Sequence, residues 1–151
     1  MQFDDSVHAQ IAKVCDEPEI YDNVFASIFK GKRYSVDNAI VFTKLVSEGA
    51  VNKNRFDWLI LHEGLVVGTI GIKSLDGEIG YWQSNKHPGV MTSAARQLCS
   101  LAKDAGFASL WAYVKKTNIP SIKVLESAGF KLDKDLTAKR EDAFGYRANF
   151  Y

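Results

Sequence analysis

Cysteine is scarce: Cys15 and Cys99 are the only two, too few for the disulfide framework on which small secreted domains rely. The three histidines, His8, His62 and His87, lie scattered, and without paired Cys or His spacing no metal site is expected. No apolar run approaches the ~18 residues that span a bilayer, and no signal-peptide-like apolar core opens the sequence. The cytoplasm is therefore the expected compartment, and a membrane is not an expected partner. Charge of one sign is lacking as well, because 19 Lys and Arg face 18 Asp and Glu, a formal net charge of +1. That balance, with no block of like charges, argues against nucleic acid as a partner. Two phosphate motifs are also absent: there is no G-x-x-x-x-G-K-[ST] and no G-x-G-x-x-G after a strand.

The residues present fit one globular domain over residues 1–151, with 46% hydrophobic residues to fill a core and 25% charged residues to cover it. The first third reads as helical: residues 5 to 14, Pro18 to Phe29, and a third helix opened by Ser35 as N-cap and stopped at Gly49. The period then changes. Runs at 56–63, 65–73 and 78–83, joined through Glu63-Gly64 and Leu75-Asp76-Gly77, predict an antiparallel meander. Beyond them come a helix over 90–105, a strand over 109–115, a helix from Pro120 to Gly129 and two final strands. The fold class is α/β in the broad sense, more strictly α+β: a mixed, mostly antiparallel sheet flanked by helices. Gly68 and Gly71, inside a β-run, are expected where a neighbouring backbone approaches closely or the strand bulges.

The turn "NKHPG" (85–89) precedes an amphipathic helix on which Met91, Ala94, Ala95, Leu98, Ala102 and Ala105 share one face. A helix start carries unpaired N–H groups and a partial positive charge, so an anion is stabilised there. Gly89 permits close approach and Lys86 adds a cation, whereas Pro88 removes one donor. Residue chemistry alone leaves two readings for this turn, an anion site or a simple change of direction.

The segments "WLI", "GTIGI", "EIGYW", "GVMTSAARQL", "LWAYV" and "NIPSIKVLESAGFK" occur in that order. Together they resemble the GCN5-related N-acetyltransferases (GNAT), and among them the branch that acetylates the N-termini of ribosomal proteins. Asn118, Ser121, Leu125, Glu126, Gly129 and Phe130 are in register with that branch's N-x-x-S-x-x-x-L-E-x-x-G-F. The resemblance implies a single GNAT-like domain whose fourth strand (here 78–83) splays from the fifth (109–115) to admit the pantetheine arm of acetyl-CoA. It places the pyrophosphate on Lys86, His87, Gly89, Val90 and Met91, with Lys86 standing where the family has Gln or Arg. It puts Tyr81, Trp82, Gln83 and Asn118 along the cofactor, with a main-chain N–H of Trp82 or Gln83 facing the thioester oxygen. Ser121 is implied as donor to the leaving thiolate.

Glu78 is the candidate base, two residues before Gly80, and Glu141 is a second; the Tyr146 phenol is instead a candidate to lie near the thiolate, as tyrosines do in other branches of the family. Each has a bland alternative, because Asn118 and Ser121 also fit a helix cap and the two glutamates also fit solvated charges. Lys30, Lys32 and Arg33 would suit an acidic acceptor or a CoA phosphate. The expected activity is acetyl-CoA-dependent acetylation of a primary amine, a protein N-terminus or a small molecule, by a monomer or homodimer. The alternative is a non-catalytic interaction or CoA-binding module on the same fold.

Overall fold

Polar residues at the predicted starts cap the first helices. In the computed structural model, which describes residues 3–151, the Asp4 carboxylate accepts the Val7 N–H at 2.9 Å and opens α1 (Asp5–Cys15). Glu17, held extended before a proline, precedes α2 (Pro18–Ile20); a π-helical stretch over Tyr21–Phe25 then runs into α3 (Ala26–Phe29). Ser35 and Asn38 form a reciprocal capping box on α4 (Val36–Val51). Gly49 does not stop this helix, contrary to the sequence expectation. It is buried within it, where a Cβ would stand 2.6 Å from Cβ of Arg55, and the chain leaves the helix only after Val51. Lys53 takes the left-handed conformation there, at φ 54°.

The chain packs as two compact units. The first holds the described residues up to Gly71 together with Tyr81–Pro88. Its strands belong to a sheet of order β1-β2-β3, with β1 at Phe56–His62, β2 at Leu65–Ile72 and β3 at Ile79–Gln83. Glu63 and Gly64 both have positive φ, 50° and 79°, as a two-residue hairpin turn requires, so β1 and β2 run antiparallel. The core of this unit gathers Ile11, Cys15, Ile20, Tyr34, Ala39, Val66 and Trp82. Each fully buried large side chain of this kind contributes about 1.5–3 kcal/mol. Tyr34 is fixed by two phenylalanine rings, Phe25 at 4.7 Å and Phe29 at 5.6 Å between centroids. Its N–H donates to Asp16 Oδ1, and the Arg33 guanidinium donates to the other oxygen, holding the Asp16 carboxyl below its usual range.

The second unit holds Ile72–Gly80 and Gly89–Tyr151. Its sheet has the order β4-β6-β5, antiparallel throughout, from β4 (Ser109–Lys115), β5 (Lys131–Asp133) and β6 (Ala143–Asn149). Leu110, Ala112 and Val114 alternate into its core, as a half-buried strand requires. Three helices belong to this unit among the described residues. On α5 (Val90–Asp104) the predicted stripe is buried at Met91, Ala95, Leu98 and Ala102, while Ala105 falls at the exposed C-cap. On α6 (Ile119–Ser127) Leu125 is fully buried, and Phe130 follows a left-handed Gly129 at φ 95°. A short α7 (Lys134–Thr137), which periodicity does not predict, is capped by Asp133 through the N–H groups of Asp135 and Leu136. Arg147 binds the same carboxylate at 2.8 Å and holds it below its usual range.

The expectation for the β-run glycines holds. At Gly68 a Cβ would lie 2.6 Å from the Trp82 carbonyl oxygen, and at Gly71 it would overlap the Asp57 carboxylate. Because the obstacle at Gly68 is backbone, Gly68→Ala is expected to lower stability by about 1–3 kcal/mol, read as a lower urea midpoint at unchanged slope.

Candidate cofactor site

The segment after β3 is built by side chains on both of its flanks. Trp82 turns into the core of the first unit, 6.3 Å from Phe42 between ring centroids, so only its main chain is available to a ligand. Gln83 braces the chain beyond the strand: its Nε2 donates to the carbonyl oxygens of Ser84 and His87. Tyr81, beside them, is half-buried. Ser84 is almost wholly buried, and its hydroxyl donates to the Glu17 carboxylate, 2.8 Å from Oε2. Lys86 Nζ lies 3.5 Å from Oε1 of the same carboxylate, with the lysine side chain 68% exposed. The ring of His87 sits 4.7 Å from that of His62.

Gly89 is the N-cap of α5 and has a φ of 85°, which a side chain would disfavour. Among the described residues no side chain caps this helix, and a Cβ at Gly89 would meet nothing within 4 Å. Val90 is half-buried and Met91 has 2% exposure, so Met91 can serve an anion through its N–H alone. The first turn of α5 thus has N–H donors and a positive helix end beside open space, the arrangement that receives phosphate.

The remaining candidates lie in the second unit. Glu78 makes an isolated parallel bridge to Trp111, and its carboxylate is held by Lys73 Nζ at 2.9 Å. Asn118 is the N-cap of α6, its Oδ1 accepting the Ser121 N–H at 3.3 Å, so the capping reading holds for this side chain. Ser121 is half-buried in the first turn. Tyr146 is buried, and its O–H donates to Glu126 Oε1 at 2.9 Å. Burial, with the Glu126 bond and charge behind it, pushes the phenol's ionisation upward. Glu141 is exposed. Lys30 and Lys32, which belong to the first unit, are exposed as well, whereas Arg33 is engaged by Asp16.

Glu17 and His62 contact this segment from elsewhere in the first unit, and the sequence reading points to neither, nor to Ser84 within it. Glu17 and Ser84 are 67 positions apart, and no local period connects them.

Comparison with known proteins bears on this arrangement. The acetyltransferase (GNAT) domain family matches residues 3–131. No curated protein sequence matches the chain. Among solved structures, the microcin C7 self-immunity acetyltransferase MccE, determined with acetyl-CoA and AMP, superposes with a TM-score of 0.78 at 15% identity, over 97% of this chain and 89% of that one. The ribosomal L7/L12 α-N-protein acetyltransferase RimL, determined with coenzyme A, gives 0.79 at 14% identity, over 97% and 90%. A domain from Methanocaldococcus jannaschii gives 0.71 at 23% identity, over 99% and 96%. At these identities the likeness shows a shared fold.

The cap on α6 has a measurable consequence. Asn118→Ala is expected to lower stability by about 1 kcal/mol in urea unfolding, and Asn118→Asp, which keeps the accepting oxygen, to restore most of it.

Proposed function

Because the chain belongs to the acetyltransferase (GNAT) family, we propose that it uses acetyl-CoA to acetylate a primary amine, a peptide N-terminus or a small molecule, by direct attack of the amine. The observation that carries this reading is the start of α5, without a side-chain cap and with open space at Gly89. The donors there suit a pyrophosphate: the N–H groups of Gly89, Val90 and Met91 at the start of the helix. Pro88 contributes none.

Acetyl-CoA, when bound, supplies a thioester carbonyl. The chain's own residues then have separate tasks. A main-chain N–H of Trp82 or Gln83 donates to the carbonyl oxygen as it gains charge. The Ser121 hydroxyl, one turn beyond the cap of α6, donates to the departing thiolate, while Tyr81 and Asn118 border the pantetheine arm. Glu78 receives the proton of the amine through water, on the carboxylate oxygen that Lys73 does not hold. Lys30 and Lys32, exposed after α3, would favour an acidic acceptor.

A second reading is a CoA-binding module without catalysis, and the Lys73–Glu78 ion pair favours it, since the candidate base already has a partner. Calorimetric titration with acetyl-CoA and a free-thiol assay across an amine panel separate the two. The enzyme reading expects micromolar affinity, at least tenfold weaker in a folded Gly89→Glu variant, together with thiol release that depends on an added amine. Ser121→Ala is then expected to lower kcat about a hundredfold with little change in KM. Binding without thiol release from any amine selects the module, and absence of binding removes both readings.

A further inference from the structure

We propose that Glu17 is a positioning residue for the segment after β3, holding Ser84 and Lys86 in the arrangement that receives a phosphorylated cofactor. The inference rests on the acetyltransferase reading and deepens it by naming the group that orders its anion site.

Glu17 is fixed before its side chain is considered. Pro18 restricts it to an extended conformation, φ −62° and ψ 134°. Its N–H donates to Val14 O at 3.1 Å, and its carbonyl accepts the N–H groups of Ile20 at 3.0 Å and Tyr21 at 2.8 Å. The carboxylate that this corner presents is only 16% exposed. Its two oxygens receive the Ser84 hydroxyl at 2.8 and 3.1 Å, and Oε1 receives the Lys86 ammonium at 3.5 Å.

Ser84 Oγ in turn accepts the Lys86 N–H at 3.5 Å, while the Ser84 N–H donates to Val67 O at 2.8 Å. A hydroxyl has one proton, and here it goes to the carboxylate; its lone pairs face Lys86. Lys86 is therefore held at its main chain through Ser84 and at its ammonium directly, by the same glutamate. An ammonium has three donors, so one partner leaves others for a phosphate. Part of the rotamer freedom that an unrestrained lysine would lose on binding is already lost in this arrangement. Asp16, the adjacent residue, fixes Tyr34 and Arg33 in the same way, so one corner anchors two segments of the first unit.

The opposite effect is physically open to a carboxylate, which repels phosphate, and its sign differs. The test is calorimetric titration of the full chain and of Glu17→Gln, Lys86→Gln and the double variant, with CoA and with pantetheine, which lacks every phosphate. Each single substitution is expected to raise the Kd for CoA about tenfold. The double variant is expected to bind no more weakly than Lys86→Gln alone, because Glu17 acts through Lys86. Pantetheine affinity should be the same in all four proteins. CoA binding in Glu17→Gln that equals or exceeds wild type overturns the proposal, as does a loss that adds to that of Lys86→Gln or a parallel loss for pantetheine. Should Glu17→Gln not fold, Ser84→Ala takes its place in the same cycle with the same expectations, since that hydroxyl links Glu17 to the Lys86 main chain. Wild-type protein that fails to bind CoA overturns the acetyltransferase reading and this inference together. Wild-type binding with an unaffected Glu17→Gln overturns the positioning role alone.

Discussion

Trp82 sits in the core of the first unit with Ile11, Ala39 and Val66, and the register of β3 depends on that burial. Side chains alternate along a strand, so a slip of one residue would bury Gln83 and expose the indole. The Trp82 carbonyl lies where a Cβ of Gly68 would fall, which admits β3 to its neighbour only at that height. With Trp82 committed inward, Gln83 is left to brace the segment behind it through Ser84 and His87. The start of the segment after β3 is thus determined by a hydrophobic contact. A large apolar side chain is suited to that task because its burial outweighs any single surface ion pair by about a kcal/mol or more.

Charge in this protein is used locally. The net charge of +1 provides no broad field to draw an anion to the surface. Individual cations are instead matched to nearby carboxylates: Lys86 to Glu17, Lys73 to Glu78, Arg33 to Asp16 and Arg147 to Asp133. The pairs differ in burial, and their effects differ accordingly. Lys86 is largely exposed, so its attraction to Glu17 is screened and its ammonium can still take a second partner. Asp133 is more enclosed and also caps α7, which gives one carboxylate a role in β6, through Arg147, and in the helix beside it.

Features that depend on neighbours in sequence were legible. Ser35 as a cap, Glu63-Gly64 as a hairpin turn and the buried stripe of α5 all arise from local pattern, and the structure holds them. Gly49 misled because a glycine can be required by space as well as by conformation; here Arg55 occupies the space a side chain would need. The short α7 was hidden since four residues give no period, and its cap, Asp133, lies in a strand. The motif N-x-x-S-x-x-x-L-E-x-x-G-F carries much of its meaning in packing: Asn118 caps, Leu125 and Phe130 are buried, Glu126 receives Tyr146 and Gly129 turns the chain. The contacts of Glu17 were illegible for a different reason. A polar pair formed across many tens of residues leaves no trace in periodicity, and a glutamate before proline reads only as a helix start.

Under the proposed reading, the state of the carboxylates also bears on which amine can react. Direct attack needs a neutral amine, and the carboxylate proposed as base, Glu78, already has Lys73 as a partner at 2.9 Å. The Tyr146 phenol donates to Glu126 and is kept protonated by burial, which makes it a poor acceptor of a proton. A site of this kind depends on the amine's own tendency to be neutral. A peptide α-amine, with a pKa of about 7.7–8.0, is neutral in roughly one molecule in ten at pH 7, whereas a lysine side chain at about 10.4 is neutral in fewer than about one in a thousand. Without a strong base, that difference of about a hundredfold or more in reactive population falls directly on the rate. Under the proposed reading, a peptide N-terminus, or a small amine of similarly low basicity, is the better acceptor than a lysine side chain.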